Sequence, residues 1–167
     1  MTGFRKDFIW GTAASSYQIE GAITKGGRGD TVWDMFCREP GLVRDQSDGS
    51  IACDHFHRFA EDFALMKDLG IQSYRLSVAW SRIFPTGTGK ISSMGLDFYD
   101  RLIDALLEKN ICPWITLFHW DFPTALYDRG GWLNRASADW FSDYAGVICG
   151  RYSDRVANWF TLNEPQC

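Results

Sequence analysis

Late in the sequence an apolar run ends in Asn163 and Glu164 and is stopped by Pro165. Proline cannot donate to a strand ladder, so the carboxyl group sits where a strand must end. A carboxylic acid held there can give a proton to a leaving oxygen and later take one from water. Cleavage of a glycosidic bond needs that function together with a second carboxyl group flanking the bond. As a bare tripeptide, Asn-Glu-Pro reads more readily as a glutamate capping a turn. The elements that hold it have to decide.

Those elements repeat. Phe56, Phe59, Phe63, Met66 and Leu69 recur at spacings of three and four, with Asp54 as candidate N-cap and Gly70 as stop. A second helical pattern starts near Ser93, carries Leu96, Tyr99, Leu102, Ile103, Leu106 and Leu107 on one face, and stops at Asn110. A third starts near Asn134 and carries Trp140, Phe141, Tyr144, Ala145, Ile148 and Tyr152. Each is followed by a short turn and a strand-like run, over 71–80, 111–120 and 156–163, and a further run over 8–14 opens the chain. The order β-α-β-α-β-α-β predicts parallel strands with right-handed crossovers. The stretch Trp114-Ile115-Thr116-Leu117-Phe118 suits a parallel strand buried on both faces.

Polar residues then gather at one end of every strand. Gln18 and Glu20 lie beyond the first, Arg75 and Ser77 late in the second, His119 and Asp121 at the close of the third, and Asn163 and Glu164 at the close of the fourth. Functional groups at the C-terminal ends of successive parallel strands are the arrangement of a (β/α)8 barrel. An open doubly wound sheet also binds ligands there, but the sequence has no Gly-x-Gly-x-x-Gly and no phosphate-binding loop. A whole barrel takes about 250 residues. The expected fold is therefore α/β, the N-terminal half (strands 1–4) of a (β/α)8 TIM barrel, as one domain over residues 1–167. Segments 24–53 and 84–92, rich in Gly, Ser, Thr and Asp, are expected to be active-site loops.

Composition narrows the function classes. The net charge of −4 comes with scattered Lys and Arg, which argues against a nucleic-acid partner. No apolar stretch approaches the roughly 20 residues that span a bilayer, so no membrane role is expected. The first residues lack the apolar core of a signal peptide. Cys37, Cys53, Cys112, Cys149 and Cys167 are widely spaced with no Cys-x-x-Cys, which predicts reduced thiols and a cytoplasmic protein. His55 and His57 are two apart on a helix and point in different directions, so no metal site is expected.

The residues in hand resemble glycoside hydrolase family 1, the β-glucosidase family. The resemblance rests on Phe8-Ile9-Trp10-Gly11-Thr12-Ala13-Ala14-Ser15-Ser16-Tyr17-Gln18-Ile19-Glu20-Gly21; on Tyr74-Arg75-Leu76-Ser77 with Trp80-Ser81-Arg82-Ile83; on Thr116-Leu117-Phe118-His119-Trp120-Asp121 with Pro123; on Asp128-Arg129-Gly130-Gly131-Trp132; and on Trp159-Phe160-Thr161-Leu162-Asn163-Glu164-Pro165. It implies a retaining β-glucosidase without a cofactor, acting on a β-glucoside or small oligosaccharide. Glu164 is implied as acid/base, Asn163 as a contact to the sugar 2-hydroxyl, and Gln18 and His119 as holders of sugar hydroxyls. Trp120 either stacks on the sugar or fills the barrel mouth. Arg75 is implied to orient the nucleophile, and Asp121 is expected to be structural.

The family's nucleophile lies on a seventh strand, beyond these residues. The chain is therefore expected to be nearly inactive alone and to need a complementary C-terminal half-barrel chain, or to self-associate through its unpaired strand edges. The alternative is a non-catalytic sugar-binding or scaffold half-barrel module.

Overall fold

The computed structural model describes residues 3–166; Cys167 lies outside them. Four strands, β1 (Gly11–Ala13), β2 (Ser73–Ser77), β3 (Cys112–Phe118) and β4 (Asn158–Leu162), pair in parallel in the order β1-β2-β3-β4. Between them run eight-residue-or-shorter helices α1 (Ser16–Ile19), α2 (Val32–Arg38), α4 (Trp80–Ile83) and α6 (Thr124–Tyr127), and the long crossovers α3 (His55–Asp68), α5 (Ser93–Glu108) and α7 (Ser137–Tyr152). A single 3-10 turn covers Gly131–Leu133. Sequential parallel strands joined by long helices are the first half of a (β/α)8 barrel.

The helix stops act as the sequence predicts. Gly70 and Asn110 both adopt left-handed backbone, at φ 76° and 57°. After each, the next amide reaches back five residues, Ile71 to the Met66 carbonyl at 2.9 Å and Ile111 to the Leu106 carbonyl at 3.0 Å. This closure satisfies carbonyls that the helix end leaves open. The starts differ from expectation. Asp54 does not cap α3 with its side chain; it is itself left-handed at φ 54°, and its carboxylate meets His57 Nδ1 at 2.6 Å. The open amide of Phe56 is served instead by the Glu20 carbonyl at 3.0 Å. Helix α7 begins at Ser137 rather than Asn134, because Asn134 turns its side-chain oxygen onto the Ala136 amide at 3.0 Å. Each strand is shorter than its apolar run. The second run ends early because Trp80 starts α4.

The core fills the space between sheet and crossovers. Phe98, Leu102, Ile103 and Leu106 of α5 and Phe63 of α3 are buried with Tyr74, Leu76 and Ile115 of the sheet. Each such aliphatic side chain contributes about 1.5–3 kcal/mol relative to exposure. On α7, Tyr144 stacks on Trp80, with ring centroids 4.5 Å apart and planes at 7°. Its hydroxyl, aimed at the carbonyls of Val78 (3.0 Å) and Leu117 (2.9 Å), ties the residue after β2 to the end of β3. The outer strands are different: β1 is exposed, and β4 exposes Phe160 and Leu162. Among the described residues, β1 and β4 each have one paired edge.

Candidate active site at the strand ends

The C-terminal ends of the strands open onto a cavity of about 700 Å³. Gln18, Arg75, His119, Trp120, Asn163 and Glu164 all line it, although they come from four separate stretches of sequence. Parallel pairing in register brings these stretches side by side.

Arg75, on β2, organises the floor. Its Nε donates to Thr116 Oγ1 of β3 at 2.9 Å, and a terminal nitrogen donates to Asn163 Oδ1 beyond β4 at 2.8 Å. The guanidinium also lies over the Phe160 ring, 4.9 Å from its centroid. The resemblance implies that Arg75 orients a nucleophile lying beyond these residues; here the guanidinium is anchored by a hydroxyl and an amide. Asn163 is buried and is pinned a second time by its backbone N–H, which donates to the Phe118 carbonyl at 2.9 Å.

Trp120 has φ 74° and Glu164 has φ 46°. Left-handed backbone at a non-glycine residue costs on the order of 1–3 kcal/mol and persists only where surroundings fix it. At Trp120 the indole Nε1 does so, donating to the Asn163 carbonyl at 3.0 Å. Trp120 remains about one-third exposed, with 36% of its surface open, so a face is left for a ligand. The Glu164 side chain is exposed on the cavity wall, where it can exchange a proton with whatever enters.

His119 has a buried Nδ1 with no hydrogen-bond partner among the described residues. Burial, and then the Arg75 charge, hold its pKa below the ordinary value, while Glu164 pulls the other way. A neutral imidazole can offer its other ring nitrogen to a hydroxyl ligand.

Two carboxylates expected at strand ends turn away from the cavity. Glu20 is two residues past Gln18, and on helical backbone that spacing sends it to another face. It is buried, accepting from Arg82 Nε at 2.7 Å and from the Tyr99 hydroxyl at 2.6 Å. Asp121 is also buried and accepts from Ser16 Oγ at 2.7 Å. The histidines of α3 are engaged with acids: His55 with Asp62 at 2.6 Å and His57 with Asp54.

Sequence reasoning missed the opposite wall. Segment 24–53 is not a loop throughout, since it contains α2, and Trp33 and Phe36 of that helix line the cavity with Tyr17. Tyr17 and Trp33 stack at 6.2 Å, and Phe36 sits edge-on to Trp33 at 5.7 Å. The Tyr17 hydroxyl donates to Cys37 Sγ at 3.5 Å and accepts from the Gly49 amide at 3.3 Å. The available signal was Thr31-x-x-Asp34, which forms a capping box at the start of α2. Polar groups on one side and aromatic faces on the other suit a ring with hydroxyls at its rim and C–H groups on its faces.

The model of the family described as Glycosyl hydrolase family 1 matches residues 1–167. The chain is 54% identical over 162 residues to beta-glucosidase A of Acetivibrio thermocellus, covering 97% of this chain and 36% of that protein. It is 49% identical over 162 residues to beta-glucosidase A of Thermotoga maritima, again covering 36% of the relative. The chain thus spans little more than a third of the curated relatives it matches. Among solved structures, the Thermotoga maritima beta-glucosidase in complex with castanospermine superposes with a TM-score of 0.96 at 48% identity, over 99% of this chain and 38% of that one. A rice beta-glucosidase mutant in a covalent complex with Glc superposes with a TM-score of 0.95 at 48% identity, over 97% of this chain and 34% of that one.

Proposed function

This chain belongs to glycosyl hydrolase family 1, and from that premise we propose that it supplies the acid/base half of a retaining β-glucosidase site. The observation that carries the reading is the convergence of Gln18, Arg75, His119, Trp120, Asn163 and Glu164 on one cavity. In the proposed reaction Glu164 protonates the glycosidic oxygen as the C–O bond breaks. A second carboxylate takes the anomeric carbon as an ester. Water then attacks that carbon, loses its proton to Glu164 and releases the sugar. No cofactor is required. Gln18, His119 and Asn163 hold sugar hydroxyls, and Trp120 offers its face.

In retaining sites the two carboxyl groups lie about 5–5.5 Å apart. We assign the second one to polypeptide outside these residues, on strands that complete the barrel beside β1 and β4. The open strand edges and the exposed Phe160, Leu162, Phe8 and Trp10 support such a complement. Arg75 is the proposed orienter of that carboxylate, because its guanidinium is already anchored at the cavity floor by Thr116 and Asn163. We place the protein in the cytoplasm, a reading supported by the free state of all four described cysteines.

Hydrolysis of a chromogenic β-glucoside tests the proposal. The chain is assayed alone, with a complementary C-terminal half-barrel, and with Glu164→Gln. Activity on complementation that the substitution abolishes is the expected result. Glucoside binding without turnover under every condition would make the chain a sugar-binding module instead.

A further inference from the structure

Three strand ends meet in a buried polar knot behind the cavity. Ser16 opens α1 two residues before Gln18, Ser77 closes β2 two residues after Arg75, and Asp121 follows His119 and Trp120 beyond β3. The Ser16 amide donates to Ser77 Oγ at 2.7 Å, Ser77 Oγ donates to Ser16 Oγ at 3.1 Å, and Ser16 Oγ donates to Asp121 Oδ2 at 2.7 Å. All three residues are buried. Each thus sits beside a residue of the proposed sugar site without touching the cavity.

The other oxygen of Asp121 has no hydrogen-bond partner among the described residues. The gap it shares with Ser16, Glu20 and Arg28 leaves no room for a water. The charged groups around it are already engaged. Arg28, ahead of α2, is bonded to Asp34 at 2.8 Å. Arg82, on α4, is bonded to Glu20 at 2.7 Å. From α7, the Tyr144 hydroxyl is committed to backbone carbonyls. Burial raises the pKa of Asp121 to about 7, with the Glu20 charge adding to it, and outweighs the Ser16 bond and the Arg28 charge, which favour the ionised form. As a neutral acid it still accepts from Ser16 at Oδ2, with its proton on the unpartnered oxygen.

We propose that Asp121 is a positioning residue of the sugar site, its bond to Ser16 setting the turn that carries His119 and Trp120 against the segment that carries Gln18. The inference rests on reading the cavity as a glucoside site and adds what holds its walls in register. Trp120 keeps its left-handed backbone between two ties, its indole on Asn163 and the adjacent Asp121 on Ser16. Without the second tie, the turn relaxes and the hydroxyl-binding groups move apart. Glu164, beyond the end of β4, is coupled to this turn through Trp120 and Asn163 and moves less. Ionisation of Asp121 places a charge in a knot with no room to hydrate it, which strains the same tie and has the same effect in weaker form.

The experiment measures binding of the neutral, non-hydrolysable probe methyl β-thioglucoside to the complete barrel at about pH 5.5 and about pH 8.5, either side of the Asp121 transition. KM and kcat for a chromogenic glucoside are measured alongside. Asp121→Ala and Ser16→Ala should weaken the probe about tenfold or more and raise KM, with kcat little changed. Asp121→Asn, which keeps an acceptor for Ser16, should bind like wild type at the lower pH and lack its loss at the higher. Wild-type affinity in Asp121→Ala, or a fall in kcat at constant KM, overturns the proposal. If Asp121→Ala does not fold, wild-type pH dependence in Asp121→Asn or unchanged affinity in Ser16→Ala overturns it. Failure of the wild-type barrel to bind the probe would remove the glucoside reading as well.

Discussion

Arg75 and Asn163 are locked together across β2 and β4, the guanidinium donating to the amide oxygen at 2.8 Å. Because the oxygen is committed, the NH2 group of Asn163 is the end left for a ligand. The same guanidinium holds Thr116 on β3. One cation thereby fixes the orientation of an amide that itself contributes no charge.

Asn163→Asp separates these two roles. The carboxylate keeps the Arg75 bond in charge-assisted form but has no donor to offer a sugar hydroxyl. In the complete barrel, kcat/KM should fall on the order of a hundredfold, since contacts to the 2-hydroxyl strengthen in the transition state. The thermal midpoint should not fall. Steady-state kinetics with thermal unfolding checks both, and an aspartate variant of full activity would rule out a donor role for Asn163.

Two titrating groups near the site bend stability with pH in opposite directions. Burial and Arg75 lower the pKa of His119 below 6.5. Below 6.5 the unfolded chain takes up a proton that the folded chain refuses, so this group's contribution is present at higher pH and is lost as pH falls. Asp121 is raised from 3.8 to about 7. Its contribution is fully present below 3.8 and is lost as pH rises through about 7. Denaturant unfolding across this range should show Asp121→Asn removing a loss on the alkaline side and His119→Gln removing a loss on the acid side. An NMR titration of His119 with its midpoint at or above 6.5 would contradict the first assignment.

What was legible in the sequence follows from the range of the forces involved. The crossovers α3, α5 and α7 announce themselves because apolar side chains repeat on one face over fourteen to sixteen residues. The cavity residues were legible because parallel register puts strand ends together. Helix α2 was not: seven residues between Gly-rich segments carry little periodicity, and its start depends on Thr31, Asp34 and the buried Arg28–Asp34 pair. Tyr17, Trp33 and Phe36 were missed for the same reason. The left-handed backbone of Trp120 has no local signature, because its indole is held by Asn163, far away in sequence.

Gly49 sets how close the missed aromatic wall can come. A Cβ there would meet the Tyr17 ring at 2.7 Å, which forces the ring to move. Gly49→Ala should cost about 1–3 kcal/mol as overpacking and raise KM by displacing Tyr17 from Trp33. Gly146, in the middle of α7, has open space around its Cβ position. Gly146→Ala should instead stabilise by about 0.5–1 kcal/mol with unchanged kinetics. Thermal unfolding and KM on the pair distinguish a packing glycine from a merely permissive one; equal effects would mean that the Tyr17 contact is soft.

Glu20 and Arg82 form an ion pair with side-chain exposures of 5% and 1%. The guanidinium also donates to the Gly21 carbonyl at 2.9 Å and lies 4.5 Å from the Phe56 ring centroid, and Tyr99 completes the glutamate. The pair thus joins the end of α1 to α3, α4 and α5. Removing one partner strands a buried charge, so Arg82→Met should cost about 3–5 kcal/mol, far more than the 0–1 typical of an exposed pair. Replacing both, as Glu20→Leu with Arg82→Met, removes the stranded charge and should be less damaging than Arg82→Met alone. Unfolding free energies for Glu20→Leu, Arg82→Met and the double variant give the coupling. A double variant as unstable as the sum of its parts would show that packing, and not the charge pair, makes this junction sensitive.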